Sequence, residues 1–289
     1  MLRACALGAL LPVVLVACSR GSPGARPQDV VARVVSLGPS TTEALFAIGA
    51  GSHVVGRSRY DDFPPEVTKL PEVGGIEPDL EAVLQLHPDL VVGPSGAWST
   101  RFAQTLAGRG IATWFPEEIR TLAGVDAMVL SLGDRTGTRP GAERVVAAIH
   151  AREQQVDRAV AAAPHPRALL VVGLSPVVAA GPSSFAGDML VRAGAASALT
   201  DAAPWPVLSF ERLVELDPDV ILDASGDGAA APTRITKDAP GWSGVRAVRE
   251  GHVVSLTDER VMRPGPRVAD GLSVVAHALH PDLVPAAGP

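Results

Sequence analysis

From Arg33 onward, short apolar runs bounded by Gly, Pro, Ser and Asp alternate with stretches whose apolar residues recur at helical spacing. Arg33–Leu37 predicts a short buried strand, and Gly38-Pro39-Ser40-Thr41 a turn that opens a helix. Thr42–Gly49 then carries Ala44, Leu45 and Ile48 on one helical face and stops at Gly49. Further along, His53–Gly56, Leu90–Gly93 and Ile111–Phe115 predict strands, while Asp79–Leu86 and Ser99–Gly108 predict helices. Strands alternating with helices imply parallel sheets covered on both faces.

The same order of signals returns. The segment from Leu80-Glu81 through Pro88-Asp89 to Val92 has a counterpart 130 residues later, from Phe210-Glu211 through Pro218-Asp219 to Leu222. Each places a glutamate early in a helix, a Pro-Asp break after it and an apolar strand next. A fainter echo pairs Pro39-Ser40, Leu45 and Gly49-Ala50 with Pro182-Ser183, Leu190 and Gly194-Ala195. Two similar lobes are expected, each of about 110 residues. Between them, residues 121–163 show no strand pattern. Their second part, Gly141–Ala163, is dense in Ala, Val, Glu, Gln and Arg, and predicts one helix of about 20 residues, some 30 Å long. The fold class is therefore α/β, with two Rossmann-like lobes joined by a single long helix. The lobes take residues 31–120 and 166–289, and a helical linker takes 121–165. A continuous helix at the joint resists wide hinge opening.

Composition narrows the function classes. The chain has 289 residues, 47% hydrophobic and 19% charged, enough for a sizeable core and too apolar for a solvated tail. Its 55 Gly and Pro residues punctuate apolar runs and do not recur every third position. A net charge of −6 offers no basic surface to a phosphate backbone, so nucleic-acid binding is disfavoured.

The first residues point to export. Arg3 precedes an apolar run of 13 residues, Ala4–Val16, broken by Pro12. That is too short for a membrane span and fits a signal-peptide core. It ends Leu15-Val16-Ala17-Cys18, which resembles the lipobox of bacterial lipoproteins. The resemblance implies a signal peptide over residues 1–17, acylation of Cys18, and a flexible tether over 18–30. Cys5 and Cys18 are the only cysteines, so the mature chain holds one and has no internal disulfide. Several acyl chains on one residue would anchor it stably to a membrane of the cell envelope.

Catalytic motifs are absent: no HExxH, G-x-S-x-G, phosphate-binding loop or dinucleotide fingerprint occurs. The seven histidines are scattered, and only His277 and His280 lie close together, at a spacing that suits capping or solvation better than a metal. No enzyme, resident cofactor or metal is expected.

An exported chain with two α/β lobes, a helical linker and paired L-E-x-x-x-x-L-x-P-D elements resembles the substrate-binding proteins of ABC importers. The class is the one serving iron-siderophores, haem and cobalamin (vitamin B12), built on the helical-backbone periplasmic fold. The likeness covers about Arg33 to Leu279. Four segments are similar to the cobalamin-binding members: Gly56–Pro64, the Glu81 element, Pro204-Trp205-Pro206 with Ser209, and Thr257-Asp258 with Pro266-Arg267. It implies a monomeric receptor that passes a corrinoid to an ABC permease dimer. Haem, a ferric siderophore or a metal ion is the alternative cargo, and an envelope enzyme or scaffold reusing the fold is the alternative role.

A broad amphipathic disc such as cobalamin is best held by flat aromatic faces and a few polar groups. Tyr60, the only tyrosine, sits in a charged loop after a strand, either at the cleft or at the edge of the core; a tyrosinate there also suits haem iron. Trp205, between two prolines, is excluded from regular helix and central strand. The resemblance puts a ligand-stacking tryptophan there, the other reading being a loop cover. Trp98 follows the strand Leu90–Gly93, at the edge where open sheets bind ligands. Trp114 and Trp242 read as packing residues. Asp258 matches a ligand-contacting acid of the family, or else caps a turn. Arg263 suits an anionic ligand, and Arg267 either does so or braces the last helix. Glu81 and Glu211 offset helix dipoles; the resemblance implies that they also dock onto permease arginines.

Overall fold

Residues 31–200, 203–226, 234–286 and 288 are described by the structure, a computed structural model. The signal peptide, Cys18 and the tether lie outside the described residues. Val34–Ser36 forms β1, and its alternation sets up the first half of the fold. Val34 faces a core shared with the helices behind it, while Val35 faces a separate cluster with Val83, Val91, Phe102 and Leu106. Beside β1 lie β2 (Val54–Gly56), β3 (Leu90–Val92) and β4 (Ala112–Trp114), in the order β2-β1-β3-β4 and all parallel. Helices α1 (Pro39–Ala47), α2 (Leu80–Gln85) and α3 (Ser99–Ala107) make the crossovers. The expected elements all form; most are trimmed at their ends, while α1 starts three residues before the expected Thr42, with Pro39 in its first turn.

The stretch without strand pattern holds two helices. α4 (Leu122–Thr136) starts on the Thr121 hydroxyl, which accepts from the Gly124 amide at 3.1 Å, and ends at Gly137 in the left-handed region. α5 (Arg139–Val160) runs for 22 residues and starts two positions before the expected helix; Pro140 sits in the first turn, where its missing N–H costs nothing.

The second half carries β5 (Arg167–Leu174), β6 (Val177–Ala179), α6 (Phe185–Arg192), β7 (Ala196–Ser197), β8 (Val207–Leu208), α7 (Phe210–Leu216), β9 (Val220–Asp223), α8 (Arg246–Glu250), β10 (Val253–Ser255) and α9 (Val268–Leu279). Its sheet has the order β10-β9-β5-β6-β8, with β7 also against β5. This corrects the expectation of purely parallel sheets. β6 is antiparallel to both β5 and β8. Only Ser175 and Pro176 separate β5 from β6, a connection that closes a hairpin and is far too short for a parallel crossover.

Both sequence echoes survive at the level of single bonds. Asp89 Oδ2 accepts from the Arg33 amide at 2.9 Å, and Asp219 Oδ2 accepts from the Arg167 amide at 2.9 Å. The Arg33 guanidinium donates to the Leu86 carbonyl and that of Arg167 to the Leu216 carbonyl, each closing a helix C-terminus. His87 and Asp217, just before the two prolines, both take positive φ, 45° and 39°. In the fainter echo Gly49 (φ 90°) and Gly194 (φ 93°) let the Ala50 and Ala195 amides turn back to Leu45 and Leu190. One apolar cluster runs from Val34 and Leu45 through Leu132 and Ile149 to Leu170 and Leu272, so the halves share a core across α4, α5 and α9.

Candidate functional site

The C-terminal ends of the strands in the first sheet lead into Gly38, Gly93-Pro94-Ser95 and Pro116–Ile119. These turns face Met128, Phe185, Trp205, Met262 and Pro264 across a cavity of about 260 Å³. Residues of both halves thus build one cleft, at the edge where open α/β sheets place their ligands. Its walls are mostly apolar, with the hydroxyls of Ser40, Thr41 and Ser95 and the carboxylates of Glu117 and Glu118 as polar points. The Ser95 hydroxyl donates to the Phe115 and Pro116 carbonyls and so ties two of the turns together.

Trp205 is placed by its neighbours. The Gly181 amide donates to the Pro204 carbonyl at 2.9 Å and the Ala179 amide to the Pro206 carbonyl at 3.2 Å. The strap is therefore pinned on both sides of the indole, to the end of β6 and to the turn just after it, and its prolines need no donor of their own on this edge. At 38% exposure the ring is a cavity wall open to solvent, not a core residue.

Two further cavities share these walls. One, of about 930 Å³, keeps Ser95, Pro116–Ile119 and Met128 and adds Trp114, Arg120 and the start of α4. The other, of about 460 Å³, keeps Met262 and adds Pro39, Leu256, Asp258, Glu259 and Arg263.

The remaining sequence candidates fall elsewhere or are occupied. Tyr60 is half exposed and lines none of these cavities. Its loop is held by buried Asp61, whose carboxylate accepts from the Ser58 amide (3.1 Å), the Ser58 hydroxyl (2.6 Å) and the Thr42 hydroxyl (2.5 Å). Burial pushes the Asp61 carboxyl above the usual carboxylate range, against the pull of those hydrogen bonds.

Trp98 is a correction. It precedes α3 with its ring turned inward, edge-on to Phe102 at 5.5 Å and Phe115 at 5.4 Å, and so packs the first lobe. Asp258 lines the third cavity, but it caps the turn Glu259–Val261 and holds the Arg260 guanidinium in two bonds of 2.9 and 2.6 Å. The Arg260 hydrogen bonds keep its carboxyl below the ordinary value.

Arg263 lines the third cavity, and its guanidinium is already paired with acids of the protein. Its guanidinium meets Glu43 at 2.6 Å, Glu259 at 2.7 Å and Asp62 at 3.2 Å. Arg267 does not cap helix carbonyls. It grips Glu43 through two bonds, 2.8 and 2.6 Å, and lies over the Phe63 ring at 4.0 Å. The hydrogen bonds to Glu43 raise the Arg267 guanidinium further above its usual range.

Glu43 is the residue that sequence reasoning missed. Its side chain is only 2% exposed, on α1 of the first lobe, while both arginines come from the segment before α9. The available signal was an acid beside the apolar positions Ala44 and Leu45, because a charge in a buried place needs a paired counter-charge. Trp242 is buried against Phe210, as expected of packing.

Glu81 and Glu211 occupy the first turns of α2 and α7, both exposed and outside the cavities. The starts of these helices are capped by Asp79, accepting from the Glu81 and Ala82 amides, and by Ser209, accepting from Arg212. His277 bonds the Val284 carbonyl. Among the described residues no group of three His, Cys, Asp or Glu could hold a metal, and no helix is long and apolar enough to cross a membrane.

Comparison with known proteins returns a consistent set. The profile of a family described as Periplasmic binding protein matches residues 34–260. An ABC transporter substrate-binding lipoprotein of Bacillus subtilis, YvrC, itself described as uncharacterized, is 28% identical over 86% of this chain and 80% of its own length. A protein described as cobalamin-binding from Halobacterium salinarum is 27% identical over 86% of this chain and 69% of its own. Among solved structures, the periplasmic heme-binding protein RhuT from Roseiflexus superposes with a TM-score of 0.76 at 26% identity, covering 87% of this chain and 98% of that one.

Proposed function

The chain belongs to the periplasmic binding protein family, and we propose that it is an ABC-importer receptor whose cargo is cobalamin or a related corrinoid. Solute capture for a transporter, and work in the cell envelope, follow from the family. The choice of cargo rests on Trp205. A pinned, half-open indole over an apolar cleft offers a flat face at little entropic cost, as a wide macrocycle requires. The cavities that share walls with it extend the space well beyond what an amino acid or sugar fills. The similarity to a cobalamin-binding relative supports the same cargo. Haem is the competing cargo, supported by the likeness to RhuT.

The test is calorimetry on the full chain, purified in detergent, against cyanocobalamin, hemin and a ferric siderophore. One-to-one binding of cyanocobalamin is expected. Trp205→Ala weakens it by about 1–3 kcal/mol through lost stacking and buried aromatic area. Binding of hemin or the siderophore without any heat from a corrinoid overturns the choice of cargo.

Two further roles belong to this reading. Cys18 carries the lipid anchor, and mass spectrometry of the membrane-extracted protein should find acyl groups there. Glu81 and Glu211, exposed on equivalent helices, dock onto permease arginines. Reversing both to lysine should abolish uptake in cells with the native permease while leaving ligand affinity in solution intact, because removing a partner from a desolvated charge pair costs about 2–5 kcal/mol. Normal uptake by the double variant would reduce both residues to helix-dipole partners.

A further inference from the structure

The charges around the cleft are unevenly matched. Arg263 is paired with Glu43, Glu259 and Asp62, and Arg120 pairs with Glu118 at 3.2 Å. Glu117 lines both the first and the second cavity, is exposed, and makes no hydrogen bond or ion pair among the described residues. Its backbone is steadied from one side, since the Ser95 hydroxyl donates to the Pro116 carbonyl. The described walls of the first cavity include no Lys or Arg. In the first cavity a ligand carboxylate therefore meets a carboxylate with no cation beside it, and Arg120 on the wall of the second is already paired with Glu118, whereas an amide or ammonium meets an unoccupied charged acceptor.

We propose that Glu117 is a specificity residue of the cleft, accepting an N–H from an amide or cationic group of the ligand and turning away the analogue that carries a carboxylate in that place. The inference rests on the corrinoid reading for its ligand: a corrin ring carries amide side chains around its rim, and hydrolysis of one amide yields an isosteric acid. The interaction is a hydrogen bond plus a like-charge repulsion and involves no covalent step.

The experiment compares cyanocobalamin with each of its separated monocarboxylic acids, at neutral pH, on the full chain and on Glu117→Gln and Glu117→Lys. For at least one isomer the wild-type chain should prefer the amide by about tenfold, Glu117→Gln should cut that ratio to about threefold or less, and Glu117→Lys should invert it. A ratio that no Glu117 substitution moves, or the absence of any preference in the wild-type chain, overturns the proposal while leaving the corrinoid reading intact. If the chain takes hemin and no corrinoid, the corrinoid reading falls. Glu117 is then judged on hemin against its dimethyl ester. A preference for the ester that narrows in Glu117→Gln supports the role, and any other order overturns it.

Discussion

The two halves begin from the same unit and part company after their first strand. In the first half β1 leads directly through Leu37 and Gly38 into α1. In the second, β5 turns back through Ser175-Pro176 into β6, and only then does the chain reach α6. The inserted hairpin leaves room for β8 on its outer side, and the Pro204–Pro206 strap hangs from that ladder. The first half has no counterpart, and its lip of the cleft consists of Gly38, Pro94, Ser95 and the two glutamates of the loop after β4. The repeated unit thus supplies frame, and the departure from it supplies recognition: one side of the cleft presents a flat indole, the other small and acidic groups.

The largest loss of stability is expected at the lock that joins the halves. Glu43 on the first lobe holds Arg263 and Arg267 from the second, and substituting it by alanine leaves two guanidinium groups without their buried partner. A loss of about 3–5 kcal/mol is expected in urea unfolding. A change below about 1 kcal/mol would mean that the halves stand without this contact.

Next come the two tryptophans, which should fail in opposite ways. Trp98→Ala should lower stability by about 2–4 kcal/mol, since the ring packs on Phe102 and Phe115, and should spare ligand affinity. Trp205→Ala should do the reverse, with the melting temperature of the unliganded chain nearly unchanged. If Trp98→Ala weakened binding as much as Trp205→Ala did, the first lobe would also contribute an aromatic face, and the asymmetry of the cleft would be wrong.

Smaller and matched effects are expected from the repeat. Asp89→Ala in the native chain, and Asp219→Ala in an Arg246→Ala background where its extra 2.8 Å ion pair is already absent, each remove a carboxylate that caps the neighbouring strand's amide, and each should cost about 1 kcal/mol in thermal unfolding. A clearly unequal pair of losses would show that the two devices have diverged in energy while keeping their geometry.

The smallest effect lies on the connecting helices. His150 on α5 bonds Asp126 on α4 at 2.6 Å, and that bond holds the imidazole above its usual range. A raised histidine stabilises fully below about pH 6.5 and loses that contribution as pH climbs through the higher folded value. Because the ring is half exposed, the slope should be shallow. Melting curves at pH 6 and 8 should show a small decrease that Asp126→Asn removes.

The strands, the helix starts and the two Pro-Asp breaks were readable because each is a local matter: side-chain period, a capping residue, a proline with a positive φ before it. The rigid presentation of Trp205 was readable for the same reason, as its flanking prolines act within three residues. Trp98 was not. A tryptophan just after a strand end can turn toward the cleft or back onto its own lobe, and Phe102 and Phe115, which attract it inward, lie in separate elements.

By itself the sequence determined that the chain repeats one α/β unit, that a long helix stands between the copies, and that one tryptophan is set on a rigid strap. Each of these is written in residues near one another along the chain, where period and backbone restriction act directly. Tertiary structure alone decided that Trp98 turns onto its own lobe, that Arg263 is bound by acids from both halves, and that Glu43 spans the two halves. The Glu43–Arg263 bond joins residues 220 positions apart, and no local pattern selects one arginine from many for a buried carboxylate. That selection is made by packing, when burying Glu43 becomes tolerable only with two guanidinium groups brought against it.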